Sequence, residues 1–426
     1  MHIHYHTFGC KVNQYETENI RQAMEADGHT SVNRLEEADV CIINTCTVTH
    51  EADRKLIQLI NKIRRVNPKA IIVMCGCYSQ INENANQLAD IVVGTSNKSR
   101  IPQLVAEYNS QKTTEVLPHY KGEPFETMAN IESAQKTRAV IKIQDGCDRF
   151  CSYCIIPYAR GRARSKPINE IEAEAKALVK AGHKELDLVG INLSCYGQDL
   201  GLNLADAVER VCKTSGAKRV RLGSLEAELL DEKIIERLAK LDNFCPHFHL
   251  SLQSGCDKTL REMGRKYDKA EYFTIVSSIR NHFLGCAITT DIMVGFPGET
   301  EDDFNESLEF VKTVKFADGH IFPYSPREGT SAAKRNDQVA QSVKNRRAEI
   351  MSNAICESRK AFLSDMLSKR VKVLFEKEKD TEWHIGHTEN YVVVKVKRFT
   401  ETLRYEIKNV AITGTDGNVC YGEISD

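Results

Sequence analysis

The sequence lacks an excess of either charge, a long apolar run and a leader-like segment. Its 426 residues carry 58 Lys and Arg against 59 Asp and Glu, a formal net charge of −1. This balance excludes a uniformly basic nucleic-acid coat, so any nucleic-acid contact must come from a local patch. No apolar stretch approaches the roughly 18 residues of a membrane helix, and residues 1–18 do not resemble a signal peptide. We therefore expect a cytoplasmic protein without membrane contact.

Cysteine is abundant. The chain has 15 cysteines, and an odd number of thiols without an export signal favours metal, cluster or catalytic roles over a disulfide framework. Free cysteine is also a common small core residue, and we expect about half of these thiols to be packed in this way. Spacing has to separate the two groups.

Hydrophobic periodicity divides the chain into three domains, and the predicted class is α/β. Short strands alternating with helices predict an open parallel α/β domain over residues 1–110. Weak periodicity with Pro and Gly predicts a linker over 111–138. Strand followed by helix six times over 139–368 predicts a partial (β/α)6 barrel with a basic helical extension. Residues 369–426 predict a small β-barrel, with Val371–Phe375, Tyr391–Val396 and Leu403–Ile407 as strands.

The strongest motif is a C-x3-C-x2-C loop directly after the first predicted barrel strand. Cys147, Cys151 and Cys154 can take three corners of an iron–sulfur cubane, and the fourth iron then has no protein ligand. An open metal position is typical of a catalytic site. Zinc is the alternative, but it requires a fourth protein ligand, and no His or Cys follows within five residues of Cys154.

Three further cysteines follow three predicted strands of the first domain. Cys10, Cys46 and Cys77 are far apart in the chain, but the carboxyl ends of parallel strands lie at one edge of a sheet, where ligands bind. Their thiols could therefore converge on one site. Cys75 complicates this reading, because it lies two residues before Cys77 and points to the same side of an extended chain.

The cysteine loop, with Phe150 and Tyr153, and the open barrel resemble the radical S-adenosylmethionine enzymes. This resemblance implies a [4Fe-4S] cluster whose open iron binds the amino and carboxylate groups of S-adenosylmethionine. One-electron reduction then gives a 5′-deoxyadenosyl radical, so the difficult chemistry belongs to the cofactor.

Over nearly its whole length the chain resembles the methylthiotransferases, on the segments Thr7–Cys10, Asn44–Cys46 and Gly76–Cys77 and the C-terminal β module. The resemblance implies a second [4Fe-4S] cluster on Cys10, Cys46 and Cys77, with Cys75 as a packed thiol. It also implies sulfur insertion at a C–H position followed by methylation, a TRAM-like RNA-binding domain, and an electron donor and a sulfur source of unknown identity.

Three segments are similar to the branch that acts on threonylcarbamoyladenosine in tRNA: Phe8–Glu18, Ile155–Gly161 and His249–Gly255. This implies methylthiolation of that nucleoside at position 37, next to the anticodon. The isopentenyladenosine branch typically has Gln-Met where Lys11-Val12 stands here. The alternatives are the same chemistry on isopentenyladenosine tRNA or a ribosomal protein, or a non-catalytic iron–sulfur or zinc RNA-binding regulator.

Polar and glycine residues at the predicted strand ends are candidates for binding S-adenosylmethionine, because glycines allow close backbone approach and active sites of such barrels lie there. Each could equally belong to an ordinary strand-to-helix turn. The candidates are Gly190, Asn192, Ser224, Glu226, Gln253 and Gly295.

Anion contacts are predicted in three places. Arg327 could meet a phosphate or a substrate carboxylate. A basic run after the cysteine loop could guide an anionic substrate, or form a solvated loop edge. The tail pattern suits phosphate contact with base stacking, or an ordinary solvated strand face. The basic run is Arg160, Arg162, Arg164 and Lys166, and the tail set is Tyr391, Lys395, Lys397, Arg398, Phe399 and Arg404.

Overall fold

A computed structural model of the protein describes residues 1–48, 50–128, 137–376, 380–399 and 402–425. Across these ranges, no helix combines the length and the apolar character that a bilayer crossing requires.

The N-terminal domain is a parallel sheet with helices on both faces. Its strands are β1 (His2–Thr7), β2 (Thr30–Ser31), β3 (Val40–Thr45), β4 (Ile71–Gly76), β5 (Ile91–Val93) and β6 (Thr113–Glu115), in the order β2-β1-β3-β4-β5-β6. Its helices are α1 (Lys11–Ala26), α2 (His50–Val66), α3 (Cys77–Ile81), α4 (Ala85–Leu88) and α5 (Ile101–Ala106). All six residues of β3 are buried, as expected for a central parallel strand covered on both faces.

The sheet extends into the segment predicted as a linker. Strand β6 pairs in parallel with β5, from Ile91 opposite Thr113 to Val93 opposite Glu115. An edge strand needs a partner on one side only, so its sequence pattern is weak. The predicted linker 111–138 therefore begins with a strand, and its residues 129–136 lie outside the described residues.

The central domain is an open barrel of parallel strands. Its strands are β7 (Arg138–Lys142), β10 (Glu185–Val189), β11 (Arg219–Leu222), β12 (Ser224–Leu225), β13 (His247–Leu250), β14 (Ala287–Val294) and β15 (Asp318–Pro323), and two short strands, β8 (Gln144–Asp145) and β9 (Arg164–Ser165), form a separate antiparallel pair. Its helices are α6 (Ile156–Arg160), α7 (Ile168–Lys180), α8 (Leu204–Thr214), α9 (Glu232–Ala239), α10 (Asp257–Met263), α11 (Lys269–His282), α12 (Glu301–Val314) and α13 (Gln341–Ser364). The described barrel strands run in the order β7-β10-β11 and β12-β13-β14-β15, and only Gly223 separates β11 from β12. This confirms the predicted partial barrel.

The C-terminal domain is a closed five-stranded barrel, in the order β16-β17-β18-β20-β19. The strands are β16 (Arg370–Phe375), β17 (Trp383–Thr388), β18 (Val393–Lys397), β19 (Ile407–Thr415) and β20 (Cys420–Ile424). The predicted small β-barrel is confirmed, but the predicted strand Leu403–Ile407 is wrong. Tyr405 has a φ of 66°, which belongs to a turn and not to a strand, and the strand begins at Ile407.

The C-terminal barrel is attached to the central barrel through main-chain carbonyls. Arg219 donates to the carbonyl oxygens of Lys372 (2.8 Å) and His387 (3.1 Å), and Arg221 donates to that of Glu389 (3.0 Å). Both guanidiniums are buried, and Arg221 also pairs with the buried Glu185 at 2.9 Å. The two domains therefore share a buried polar interface in which both arginines are engaged, although Arg219 Nε and Glu185 Oε2 have no hydrogen-bond partner among the described residues.

Tyr391 belongs to the same interface. Its ring stacks on His247, with the centroids 4.9 Å apart, and lies 4.6 Å from the Arg221 guanidinium carbon. The prediction that this ring stacks on RNA bases is therefore wrong, because the central barrel already occupies its face.

Candidate functional site

The C-x3-C-x2-C loop is held by its own backbone. The Cys147 amide donates to the Gly161 carbonyl (3.0 Å), and the Cys154 amide donates to the Cys151 carbonyl (2.9 Å). Gly146 has a φ of 71°, and a Cβ there would lie 1.9 Å from the Arg162 carbonyl oxygen. Only glycine fits this position, so the sequence fixes the turn that brings the three thiols together.

Two side chains from other barrel loops donate toward these sulfurs. The Asn192 amide nitrogen lies 3.6 Å from Cys147 Sγ, and Arg265 Nη1 lies 3.6 Å from Cys151 Sγ. Arg265 forms a buried ion pair with Glu226, whose pKa is raised by burial against the opposing effect of Arg265. Asn192 and Glu226 thus lie where the sequence predicted. Arg265 was missed, because an arginine shortly after a short helix carries no signal of its own.

The other candidates for S-adenosylmethionine binding differ in their surroundings. Gln253 has a φ of 68°. Its buried Oε1 has no hydrogen-bond partner among the described residues, and the buried Oδ1 of Asn192 also has none. A Cβ at Gly190 would lie 2.8 Å from Gln144 Oε1, so this glycine makes room for a neighbouring side chain. Ser224 is exposed.

Gly295 is committed to packing within the protein. Its amide donates to Glu299 Oε1 at 3.0 Å, and a Cβ there would lie 2.4 Å from Lys344 Cγ on α13. The close approach that its glycine permits is therefore to a helix of the same domain.

The three N-terminal cysteines converge at one edge of the first sheet. Cys10 follows β1, Cys46 follows β3, and Cys77 begins α3 after Gly76, whose φ is 100°. Burial, together with the neighbouring Cys77 and Cys10, raises the pKa of Cys46 to about 11. Contacts also link the thiols: Asn13 Oδ1 lies 3.8 Å from Cys10 Sγ and accepts from Arg160, which donates to Cys77 Sγ.

Cys75 does not take part in this cluster of thiols. It is fully buried and packs with Ile20 and Val73 in the core on one face of the sheet. The chain is not extended beyond it, because the positive φ of Gly76 redirects the next residue. Its prediction as a packed thiol is confirmed.

Neither cysteine triad has the geometry of a single-metal site. Across the described residues, the only group of three or more His, Cys, Asp or Glu ligand atoms all within 4.8 Å of one another is Glu232, Glu236 and His282, on the surface. Thiolates on one zinc ion at about 2.3 Å lie only about 3.8 Å apart. Each triad of described residues therefore has at least one sulfur pair farther apart than one zinc ion would hold, and a group of several metal ions, such as an iron–sulfur cubane, can span a wider set of thiols.

The backbone of Gly9 packs tightly against the side chain of Cys46. A Cβ at Gly9, whose φ is 98°, would lie 2.8 Å from Cys46 Cβ and 3.0 Å from its Sγ. We expect Gly9→Ala to displace Cys46 and to lower the iron content of the anaerobically reconstituted protein by about half, since the cluster predicted on the N-terminal triad would be lost and the one predicted on the C-x3-C-x2-C loop would remain. Gly28→Ala is the matched control, because Gly28 also has a positive φ and has no atom within 4 Å of its added Cβ. Full iron in Gly9→Ala would contradict this.

Arg160, at the end of α6, reaches the second triad from the central domain. Its Nε donates to Cys77 Sγ at 3.2 Å, Nη2 donates to Asn13 Oδ1 at 2.5 Å, and Nη1 donates to Glu16 Oε1 at 2.5 Å. The side chain is fully buried. Arg160 therefore joins the two domains at the cysteine site.

Buried ion pairs surround this arginine. Glu16 also pairs with Lys98 at 2.6 Å and with Lys142 at 2.9 Å. Asp145 pairs with Lys142 at 2.5 Å and with Arg164 at 3.3 Å, and Arg164 is also 3.9 Å from the carboxylate of Glu123. Four cations thus face three carboxylates, and the surplus positive charge suits an anionic group on the adjacent thiols.

The predicted basic run is therefore not an exposed patch. Arg160 and Arg164 are buried in the network, and Lys166 is buried against Glu174. Arg162 alone among the four is exposed, with its guanidinium carbon 4.6 Å from the Phe150 ring centroid. It lines a cavity of about 960 Å³ between the cysteine loop and residues 120–127.

Arg327 is also paired within the protein. It is 7% exposed and donates to Thr47 Oγ1 (2.6 Å) and Asp53 Oδ2 (2.8 Å) of the N-terminal domain. It links two domains, while its buried Nη1 has no hydrogen-bond partner among the described residues, so the contact with a phosphate or a substrate carboxylate stays a prediction. In the C-terminal barrel, by contrast, Lys397, Arg398, Phe399 and Arg404 are exposed, and Lys395 is half-buried.

Comparison with protein families gives two matches. Residues 2–94 match the model described as "Uncharacterized protein family UPF0004", and residues 141–311 match the Radical SAM superfamily. The first match contains Cys10, Cys46 and Cys77, and the second contains the C-x3-C-x2-C loop.

Curated relatives match along most of the chain. A threonylcarbamoyladenosine tRNA methylthiotransferase MtaB of Bacillus subtilis is 36% identical over 422 residues, covering 96% of this chain and 93% of the relative. The MtaB of Thermotoga maritima is 37% identical over 395 residues, covering 91% and 89%. A tRNA-2-methylthio-N(6)-dimethylallyladenosine synthase of Oceanobacillus iheyensis is 34% identical over 437 residues, covering 96% and 84%.

Among solved structures, the radical S-adenosylmethionine methyltransferase TsrM of Kitasatospora setae, with cobalamin and a [4Fe-4S] cluster bound, is similar in fold. The TM-score is 0.57 at 13% identity, and the match covers 78% of this chain and 77% of TsrM. At this identity the likeness concerns the fold alone.

Proposed function

Because this chain belongs to the MtaB-type family of methylthiotransferases, which are radical S-adenosylmethionine enzymes, we propose that it methylthiolates N6-threonylcarbamoyladenosine next to the tRNA anticodon. The product is 2-methylthio-N6-threonylcarbamoyladenosine. The exposed cations and Phe399 of the C-terminal barrel support tRNA as the macromolecular partner, since cationic and aromatic side chains together suit single-stranded RNA.

Members of this family use [4Fe-4S] clusters and S-adenosylmethionine. We assign one cluster to Cys147, Cys151 and Cys154, and a second cluster to the N-terminal triad. When bound, these groups supply the radical chemistry that an unactivated C–H bond requires and the sulfur that is transferred. The reaction also needs an electron donor and a sulfur source.

The protein's own residues hold and orient these groups. Hydrogen bonds from Asn192 and Arg265 toward Cys147 and Cys151 fix the sulfurs and disperse their negative charge. The unpartnered buried oxygens of Asn192 and Gln253 are free acceptors for the amino and hydroxyl groups of S-adenosylmethionine. Arg265 is itself fixed by Glu226, so removal of this carboxylate would release the arginine from Cys151.

Lys11 carries the choice of nucleoside. It directly follows Cys10, and its side chain is 44% exposed with Nζ 2.6 Å from Asp187 Oδ2 on barrel strand β10. The threonylcarbamoyl group carries a carboxylate, whereas the isopentenyl group is apolar. Asp187 holds this ammonium in place and offsets part of its charge. Because the ammonium stays half-exposed, it can still donate to the anionic substituent, and it is poorly matched to the apolar one.

The proposal is tested by nucleoside mass spectrometry. tRNA from a strain that lacks this protein is incubated anaerobically with reconstituted enzyme, S-adenosylmethionine, sulfide and a reductant. A methylthio gain on threonylcarbamoyladenosine alone supports the proposal. A methylthio gain on isopentenyladenosine would support the same mechanism and assign the protein to the isopentenyladenosine branch instead. Production of 5′-deoxyadenosine without any modified nucleoside would exclude tRNA as the substrate under these conditions and direct the search to proteins.

We expect Lys11→Gln to lower kcat/KM for threonylcarbamoyladenosine tRNA by about tenfold or more, because a hydrogen bond to a charged group contributes about 1.5–3 kcal/mol. The loss should appear mainly in KM. Lys62→Gln, an exposed lysine of α2, is the control. Steady-state kinetics measure the effect, and an equal loss in kcat with unchanged KM would contradict a role in substrate binding.

A further inference from the structure

One residue of the central domain contacts the second cysteine triad without being one of its ligands. Arg160 donates to Cys77 Sγ, while its other nitrogens are held by Asn13 and Glu16. The next residue, Gly161, accepts the hydrogen bond from the Cys147 amide. A two-residue segment therefore contacts both cysteine sites.

We propose that Arg160 is a positioning residue that holds the Cys77 sulfur and raises the reduction potential of the second cluster. This rests on the assignment of that cluster to Cys10, Cys46 and Cys77. An N–H donor to a ligating sulfur draws charge from the cluster and stabilises its reduced, more negative form.

The position of Arg160 makes this effect strong. Its guanidinium keeps its charge at any working pH. It is fully buried, so solvent and salt screen it little. Glu16 and Asn13 hold the guanidinium in place, and it therefore does not reorient when the charge on the sulfur changes.

Two buried carboxylates pair with Arg160, Glu16 and, at 3.5 Å, Asp145. They do not cancel its charge, because Lys98, Lys142 and Arg164 also pair with them. Two carboxylates are thus shared among four cations, and Arg160 Nε is the nitrogen that faces the Cys77 sulfur.

The test uses the full chain with Cys147, Cys151 and Cys154 changed to serine, so that only the second triad binds a cluster. In this background Arg160→Gln removes the charge and keeps a donor group, and Arg160→Lys keeps the charge and loses the planar fork. Arg162→Gln is the control, because Arg162 lies two residues after Arg160 in the chain and is exposed. Midpoint potentials are measured by dithionite titration followed by electron paramagnetic resonance, with iron counted per chain.

We expect Arg160→Gln to shift the one-electron equilibrium toward the oxidised form by at least tenfold, which corresponds to 59 mV. Arg160→Lys should give a smaller shift, and Arg162→Gln none. Loss of iron from both Arg160 variants, with unchanged far-ultraviolet circular dichroism, also supports the positioning role.

An unchanged midpoint with full iron in Arg160→Gln overturns the inference. If that variant loses its iron, an unchanged midpoint in Arg160→Lys overturns the effect on potential. A parent protein that binds no iron through the second triad would instead refute the cluster assignment on which the proposed function depends. The two failures are therefore distinguishable.

Discussion

Cys151→Ser should reduce the release of 5′-deoxyadenosine by at least about 10³-fold, to the background of the assay, because loss of a ligand removes the group that performs the cleavage. Cys151 is buried, and its sulfur lies near the Arg265 guanidinium. The second triad belongs to another domain, so its iron should remain. Anaerobic cleavage assays and iron analysis of the reconstituted variant measure both quantities.

The reciprocal variant, Cys46→Ser, separates the two triads. It should retain cleavage of S-adenosylmethionine and lose methylthiolation, because only the proposed sulfur-supplying site is changed. Cys356→Ser on α13 is the control, a partly exposed thiol outside both triads that should leave both activities in place. If Cys46→Ser abolished cleavage as completely as Cys151→Ser, the division of roles between the triads would be wrong.

The second large effect concerns Glu16, which is almost fully buried among cations. Glu16→Gln leaves Arg160, Lys98 and Lys142 without their shared carboxylate. Uncompensated buried charge of this kind costs about 3–5 kcal/mol. We expect the free energy of unfolding, measured with urea and far-ultraviolet circular dichroism on the full chain, to fall by that amount.

Glu25→Gln on the same helix is the matched control. Glu25 pairs with Arg21 near the surface at 2.7 Å, and such pairs contribute about 0–1 kcal/mol. Similar losses in the two variants would show that the buried network does not stabilise the fold beyond an ordinary surface ion pair.

The loss in Glu16→Gln should also depend on pH. Burial alone would raise the pKa of Glu16, but Arg160, Lys142 and Lys98 hold it well below the ordinary value of 4.5. A depressed pKa contributes stability above the unfolded-state pKa, and this contribution is lost as the pH falls through the folded-state pKa. The difference between wild type and variant should therefore be full at neutral pH and shrink progressively as the pH falls below about 4.5, the unfolded-state pKa, toward the folded-state pKa.

Local patterns predicted much of the fold and of the cysteine site. The C-x3-C-x2-C loop lies within a few residues and carries its own glycine, so its motif could be recognised locally, although the carbonyls of Gly161 and Met263 also hold its backbone. Cys10, Cys46 and Cys77 could be grouped because each follows a strand, and parallel strands end at a common edge. The separation of Cys75 from Cys77 follows from the turn at Gly76, which the sequence shows only as a glycine.

The errors arose where distant segments meet. The sequence predicted an exposed basic run that includes Arg160 and Arg164, because nothing near them in sequence reveals the buried carboxylates with which they pair. Glu16, the main partner of Arg160, is far away at the start of the chain and looks like any polar residue of an amphipathic helix. Tyr391 likewise meets His247 of another domain, and a contact between domains leaves no periodic pattern in either one.

The attachment of the C-terminal barrel has an evolutionary consequence. Arg219 and Arg221 bind the carbonyl oxygens of residues 372, 387 and 389, and a carbonyl oxygen is present whatever the side chain. The side chains at positions 372 and 389 can therefore change while these hydrogen bonds persist, whereas His387 also pairs with Glu376. Sequence divergence at those two positions would thus leave the joint between the barrels in place.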